Sequence, residues 1–350
     1  MRRVSAATFY TIADGHYFPG LVALLNSLRL TGHEQDLVVL DEGLTAEQRD
    51  RLDALVTLVE LPQERLGNSA LSKPYPHLLA PSGVVTLIDS DIIVTRPLGT
   101  ALGDAAAGKI VAYRDHETTE TRWFAEWEQD FELSGPPRRQ TYVNAGFVSF
   151  SQEHWPDLLT RWRQACEQIP VDRFSVLPRW VPRVTAIERE PFWAGDQDAL
   201  NAILMAEVAP EALAVQPIHE EPDWLNEVEI VDRQTLACLY RGKPTALLHF
   251  SLAPKPWQPA GWKRVRRNAY VELLPRLLFA NDVLLRLDPE EVVPWLRPGR
   301  SATVRRSGLA ALNRGRADTE RAWRRAVHTL PPSARRPLLA LRDRIARQRP

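Results

Sequence analysis

Asp89 and Asp91 stand at the end of one apolar run, Val84-Val85-Thr86-Leu87-Ile88, and just before another, Ile92-Ile93-Val94. The β-branched residues before Asp89 mark a buried strand. Two acids where a strand leaves the core need a reason, because unpaired buried charge is costly. A hard divalent cation supplies one, since carboxylate oxygens suit magnesium or manganese. In an extended segment, positions i and i+2 point the same way, so both acids can address one ion. A solvated turn after the strand would explain the same pair, so support has to come from elsewhere in the chain.

The other candidates are each open to a plain structural reading. His249 ends the apolar run that starts at Thr245, where an imidazole is either a ligand or a hydrogen-bonded core residue. Lys255 precedes a proline and reads equally as a loop charge. Asn144, before Ala145-Gly146, fits a bulge or a site of close packing. Asp14 is a turn acid or a helix cap. Asp196 and Asp198 open a helix, where acids also suit the macrodipole.

These residues need elements to position them. Val4 to Ile12 reads as a strand, and Phe18, Leu21, Leu24, Leu25 and Leu28 follow at helical spacing until Thr31-Gly32. Leu37 to Leu40 is a second strand. Thr45 with Gln48 forms a capping box for a helix facing Leu52 and Leu55 inward. Val56 to Leu61, the run ending at Asp89, Lys109 to Tyr113, Thr141 to Phe150 and Thr245 to Phe250 are further strands. Helices are expected from Trp155 to Ile169, from Asp196, and from Asn268 to Phe279. Strands alternating with helices predict an α/β, doubly wound, parallel sheet with both faces covered. Ligands then collect at the carboxyl ends of the strands, where Asp14 and Asp89 fall. Residues 118–137 and 171–192 read as irregular loops.

Taken in order, Ala13-Asp14 with Tyr17, Asp89-Ser90-Asp91, Asn144-Ala145-Gly146, Asp196-Gln197-Asp198, and His249-Phe250 with Lys255-Pro256-Trp257 form a set. The set resembles the retaining glycosyltransferases of family 8, which include glycogenin and the bacterial lipopolysaccharide galactosyl- and glucosyltransferases. The resemblance covers roughly residues 4–260. It implies a GT-A fold, a mostly parallel twisted sheet flanked by helices, with a UDP-sugar donor and Mn²⁺ or Mg²⁺ as cofactor. It further implies that Asp89, Asp91 and His249 hold the metal, that Asp14 and Tyr17 meet the base, and that Lys255 meets the diphosphate. Asn144, Asp196 and Gln197 would serve the sugar side, and Lys73 would lie near the sugar and phosphate. Gln197 is a poor nucleophile, so same-face attack by the acceptor is the expected route, with Asp196 or Asp198 as nucleophile the alternative.

Two departures bear on the donor. Leu252 stands where the family commonly has Gly, three residues after the His, and the first motif lacks the second acid that many members carry. A catalytically silent nucleotide-sugar-binding scaffold is the competing reading. A nucleotidyltransferase would want a Gly-rich basic loop after the first strand, and residues 13–17 offer only Gly15.

Composition sets the outer bounds. With 350 residues and 44% hydrophobic content, the chain can bury a sizeable core. Two cysteines, Cys166 and Cys238, give no disulfide framework and no zinc spacing, and no apolar run reaches a membrane span. The expected location is cytoplasmic. The net charge of zero conceals an asymmetry: residues 301–350 hold thirteen Arg against three acids, a net +10, leaving −10 on residues 1–300. Residues 1–298 are therefore expected as the GT-A domain and 299–350 as an Arg-rich helical tail. That tail is either solvated and partly disordered or a contact to an anionic membrane surface. Nucleic acid is not an expected partner, because no binding motif accompanies the charge.

Overall fold

The computed structural model describes residues 7–61, 69–115, 122–170, 190–222, 224–263 and 268–328. Most of the 171–192 loop, and residues 329–350 of the expected helical tail, lie outside the described residues.

The chain opens with strand β1 (Ala7–Ala13), helix α1 (Phe18–Leu30), β2 (Asp36–Asp41), α2 (Ala46–Leu52) and β3 (Thr57–Glu60). β4 (Val84–Ile88), β5 (Ile92–Val94), α3 (Gly99–Ala106), β6 (Ile110–Arg114), α4 (Trp127–Asp130) and β7 (Val143–Ser151) follow. Next come α5 (Leu158–Glu167), α6 (Asp196–Ala206), β8 (Leu213–Gln216), β9 (Val228–Asp232), β10 (Ala237–Tyr240), β11 (Lys243–Pro244) and β12 (Leu247–His249). α7 (Ala269–Phe279) and α8 (Arg300–His328) end the described chain.

The main sheet has seven strands in the order β3-β2-β1-β4-β7-β6-β8. It is α/β and mostly parallel, with helices on both faces. The mostly parallel sheet is as expected; the one strand that departs from parallel is β7, which runs antiparallel to both β4 and β6. Strand direction leaves no trace in an apolar run buried on both faces, so the sequence could not show it.

Neighbouring residues along each strand enter opposite layers. Phe9, Val84 and Phe147 pack with α1 and α7, whereas Tyr10, Val85 and Val148 pack with α5 and α6. The predicted capping box forms: Thr45 Oγ1 accepts from Gln48 N at 3.2 Å and Thr45 N donates to Gln48 Oε1 at 3.0 Å. Asn268 adds a cap that was not expected, its Oδ1 accepting from Val271 N at 2.9 Å. α3, β8 and the small β9–β11 sheet have no counterpart among the sequence expectations. β9 is largely exposed and β11 is two residues long, so neither shows a buried stripe.

Two features of the topology prepare the site. β12 does not join the main sheet; it pairs antiparallel with β5, setting His249 opposite Ile92. The register of β6 on β7 also breaks: Ala112 pairs with Val148 but Tyr113 with Asn144, so residues 145–147 are skipped. This is the bulge the Asn-Ala-Gly run allowed. The first half of α8 docks on the body, where Asn313 Nδ2 donates to Trp262 O at 2.7 Å. Among the described residues, no helix is long and apolar enough to cross a membrane.

Candidate active site

β4 ends at Ile88 and delivers Asp89 to the carboxyl edge of the sheet. Asp89 N donates to Gly146 O on β7 at 2.8 Å, and Ile92 N closes the turn on Asp89 O at 3.1 Å. The chain reverses into β5, and Asp91 O accepts from Phe250 N at 3.1 Å, just past β12. The turn between two sheets thus brings Asp89, Asp91 and His249 together across about 160 residues of sequence.

Each of these three side chains offers a ligand atom within 4.8 Å of the others. His249 Nε2 lies 3.3 Å from Asp91 Oδ1 and 3.8 Å from Asp89 Oδ2. The remaining oxygens are taken by lysines. Lys255 Nζ pairs with Asp91 Oδ2 and donates to Phe250 O at 2.8 Å. Lys73 Nζ lies 2.9 Å from Asp89 Oδ1 and 3.1 Å from Asp196 Oδ2, and donates to Ala145 O at 3.0 Å. Asp91 Oδ1 is buried and makes no well-aligned hydrogen bond, facing only obliquely the His249 Nε2 that lies 3.3 Å away. An orphaned carboxylate oxygen facing an imidazole nitrogen and a second carboxylate is a donor set that fits a hard or borderline divalent ion.

The electrostatics follow from burial and these partners. Burial alone would raise the Asp91 carboxyl, but Lys255 and His249 outweigh it and hold Asp91 well below the usual range. Burial would lower His249; Asp91 and Glu221 reverse this and push it up to about 10. An ion binding at Nε2 therefore displaces a proton. Burial pushes Asp196 up to about 6 against the pull of Lys73, with Asp89 adding to the rise. Burial would also lower Lys73, yet Asp196 and Asp89 together raise it.

The polar groups assigned to the sugar side lie along the β7 bulge and the start of α6. Asn144 Oδ1 accepts from Gly146 N at 2.6 Å, so it shapes the bulge itself. Gln197 Oε1 accepts from Ala145 N at 3.0 Å, and its Nε2 donates to Asp115 Oδ2 at 2.6 Å, which fixes the amide. Asp198 faces the interior instead. It is fully buried, gripped by Arg122 through both oxygens at 2.7 and 2.8 Å, and accepts from Tyr142 OH at 2.7 Å and Ala194 N at 2.6 Å.

On the other flank, Asp14 Oδ1 accepts from His16 N at 2.8 Å and Tyr17 N at 2.9 Å, closing the turn into α1. Tyr17 meets Trp257 edge-on, with ring centroids 6.2 Å apart, and Lys255 Nζ lies 5.6 Å from its ring centre. Burial raises the Tyr17 phenol, and Asp91, Asp89 and Asp14 add to the rise. Trp257 pins the lysine loop: its Nε1 donates to His16 O at 2.9 Å, and its ring lies 2.6 Å from where a Cβ on Gly20 would sit. Leu252 does not have a positive φ, and its side chain packs against the core, so its backbone has no need of glycine.

Two neighbours of the site escaped the sequence. Glu221 Oε1 lies 2.8 Å from His249 Nδ1, and Asp115 holds Gln197. Glu221 sits in an irregular stretch with no periodic or motif signal. Asp115 follows β6 as any strand-end acid would.

No family model matches this sequence, and no curated protein matches it. Solved structures are similar in chain trace. The bifunctional glycosyltransferase WbbM is 17% identical at a TM-score of 0.49, over 78% of this chain and 50% of that one. The galactosyltransferase LgtC, solved with donor and acceptor sugar analogues, is 17% identical at 0.44, over 79% and 98%. The glycosyltransferase GlyE of Streptococcus pneumoniae is 15% identical at 0.45, over 73% and 57%. The chain thus spans about half the length of WbbM and GlyE.

Proposed function

We propose that this chain is a metal-dependent retaining hexosyltransferase. It moves a hexose from a UDP-sugar to a glycan, glycolipid or small-molecule acceptor. The observation that carries the reading is the convergence of Asp89, Asp91 and His249, with the inner carboxylate oxygens pointing at one imidazole nitrogen and the outer ones clamped by Lys73 and Lys255.

Asp89, Asp91 and His249 would hold Mn²⁺ or Mg²⁺, which supplies positive charge beside the diphosphate. Lys255 is placed to add a second positive charge as the sugar–phosphate bond breaks, which is electrostatic stabilisation of the leaving group. Asp14 and Tyr17 bound the side where the base would lie. Asn144, Asp196 and Gln197 line the sugar side, with Lys73 tying Asp196 to Asp89. Asp196 is the carboxylate left for the cationic anomeric carbon, because Asp198 is saturated by Arg122 and Tyr142. Attack by the acceptor from the face the diphosphate leaves gives retention, the diphosphate taking the acceptor's proton.

With purified protein and Mn²⁺, UDP should raise the melting temperature and UDP-sugars should slowly hydrolyse. No shift with UDP or any UDP-sugar, whatever the divalent ion, sinks the donor assignment. A shift without turnover in the presence of candidate acceptors supports the silent scaffold instead.

A further inference from the structure

Glu221 lies 28 residues before His249, yet its Oε1 is 2.8 Å from His249 Nδ1, and both side chains are almost fully buried. The stretch that carries Glu221 is sewn to the strand that carries the histidine. Glu220 O accepts from both Ala246 N at 2.9 Å and Leu247 N at 2.8 Å. The Glu220 carboxylate pairs with Arg96, just after β5, the strand on which β12 lies. Glu221 thus meets the imidazole from a support fixed to both strands of the small sheet.

A carboxylate at Nδ1 keeps that nitrogen protonated and leaves Nε2 to face Asp89 and Asp91. A histidine that ligates a metal through one nitrogen commonly donates the other N–H to such a partner, which fixes tautomer and ring orientation. The ring also lies close against β7: a Cβ on Gly146 would meet His249 Cε1 at 2.5 Å and Nδ1 at 3.0 Å, so only glycine leaves the imidazole its place.

We propose that Glu221 is a positioning residue for the metal centre, holding His249 by Nδ1–H so that Nε2 is the ligand atom. The inference rests on the metal reading of Asp89, Asp91 and His249, and it is tested by binding rather than turnover. Mn²⁺ is titrated into the full chain without donor, and the free ion is followed by electron paramagnetic resonance. Wild type, His249→Ala, Glu221→Met and Glu221→Gln are compared at 20 °C, after circular dichroism has confirmed folding.

Glu221→Met, similar in length but unable to accept strongly, should weaken Mn²⁺ binding about 10- to 100-fold. Glu221→Gln keeps an acceptor oxygen and should recover at least about threefold of that loss. Met binding like wild type, or Gln no better than Met, overturns the positioning role. If His249→Ala also binds like wild type, the metal reading itself fails. If His249→Ala weakens binding while Glu221→Met does not, only the Glu221 inference fails. Should Glu221→Met not fold, the wild type decides. With ¹¹³Cd²⁺ in the site, scalar coupling should appear at ¹⁵Nε2 of His249, and coupling at ¹⁵Nδ1 overturns the proposal.

Discussion

Gly146 lies directly against the imidazole of His249, so close that an added Cβ would sit 2.5 Å from Cε1. Nothing but hydrogen fits there without moving the ring, because the other contact at that point is the Asn144 Oδ1 that shapes the bulge. Gly146→Ala should therefore displace His249 and weaken Mn²⁺ binding about tenfold or more, in the range seen when a metal ligand loses its orientation. Titration of Mn²⁺ checks this, and unchanged affinity would mean that the ring has space the geometry denies it.

Lys255 is the cation nearest to the Asp91 carboxylate. Lys255→Ala should lower kcat by about 10²–10³-fold, the cost of removing one well-placed charge stabiliser. Lys255→Arg should not restore it, since a planar fork cannot replace a buried ammonium point charge. Steady-state kinetics with saturating Mn²⁺ would show this, and a variant affected only in KM would contradict the leaving-group role.

Asp198 and Asp196 should separate cleanly. Asp198→Ala removes the buried carboxylate that grips Arg122 through both oxygens, which should destabilise the fold by about 3–5 kcal/mol in urea denaturation. Asp196→Asn keeps the shape of a residue beside the site and should lower activity far more than stability. A stable, inactive Asp198→Ala protein would reverse the two roles.

His33 sets a pH dependence remote from the site. It is buried, accepts from Leu98 N through Nε2 at 3.0 Å, and packs edge-on against Phe9. Burial lowers its pKa below the ordinary 6.5, Arg29 adds to this, and Gln35 opposes it. The unfolded chain therefore binds this proton first, so stability falls as pH drops below about 6.5 towards the lowered folded value. The melting temperature of wild type should fall more between pH 7 and 5 than that of His33→Gln. Parallel curves would exclude His33 as the cause.

The tail carries its own test. Residues 329–350 hold six Arg against Asp343. If the tail contacts an anionic membrane, removing this segment should weaken binding to phosphatidylserine vesicles, and salt should weaken binding of the full chain. Vesicle co-sedimentation reads both. Equal binding after truncation would reject the membrane contact.

Much of this protein was set by local chemistry. The apolar runs around Asp89, the Thr45–Gln48 box and the helical stripe after Tyr17 each place their element from neighbours a few residues away. The order of short motifs likewise singles out Asp89, Asp91 and His249, whose side chains the fold brings within reach of one another. What the chain could not declare depends on contacts between distant segments. The reversal of β7, the separate pairing of β12 with β5, the bridge of Lys73 from Asp89 to Asp196 and the grip of Glu221 on His249 all belong here. Periodicity records which face of an element is buried, not which partner it meets there. The partners of a buried charge are chosen by desolvation, which acts only once the layers have closed.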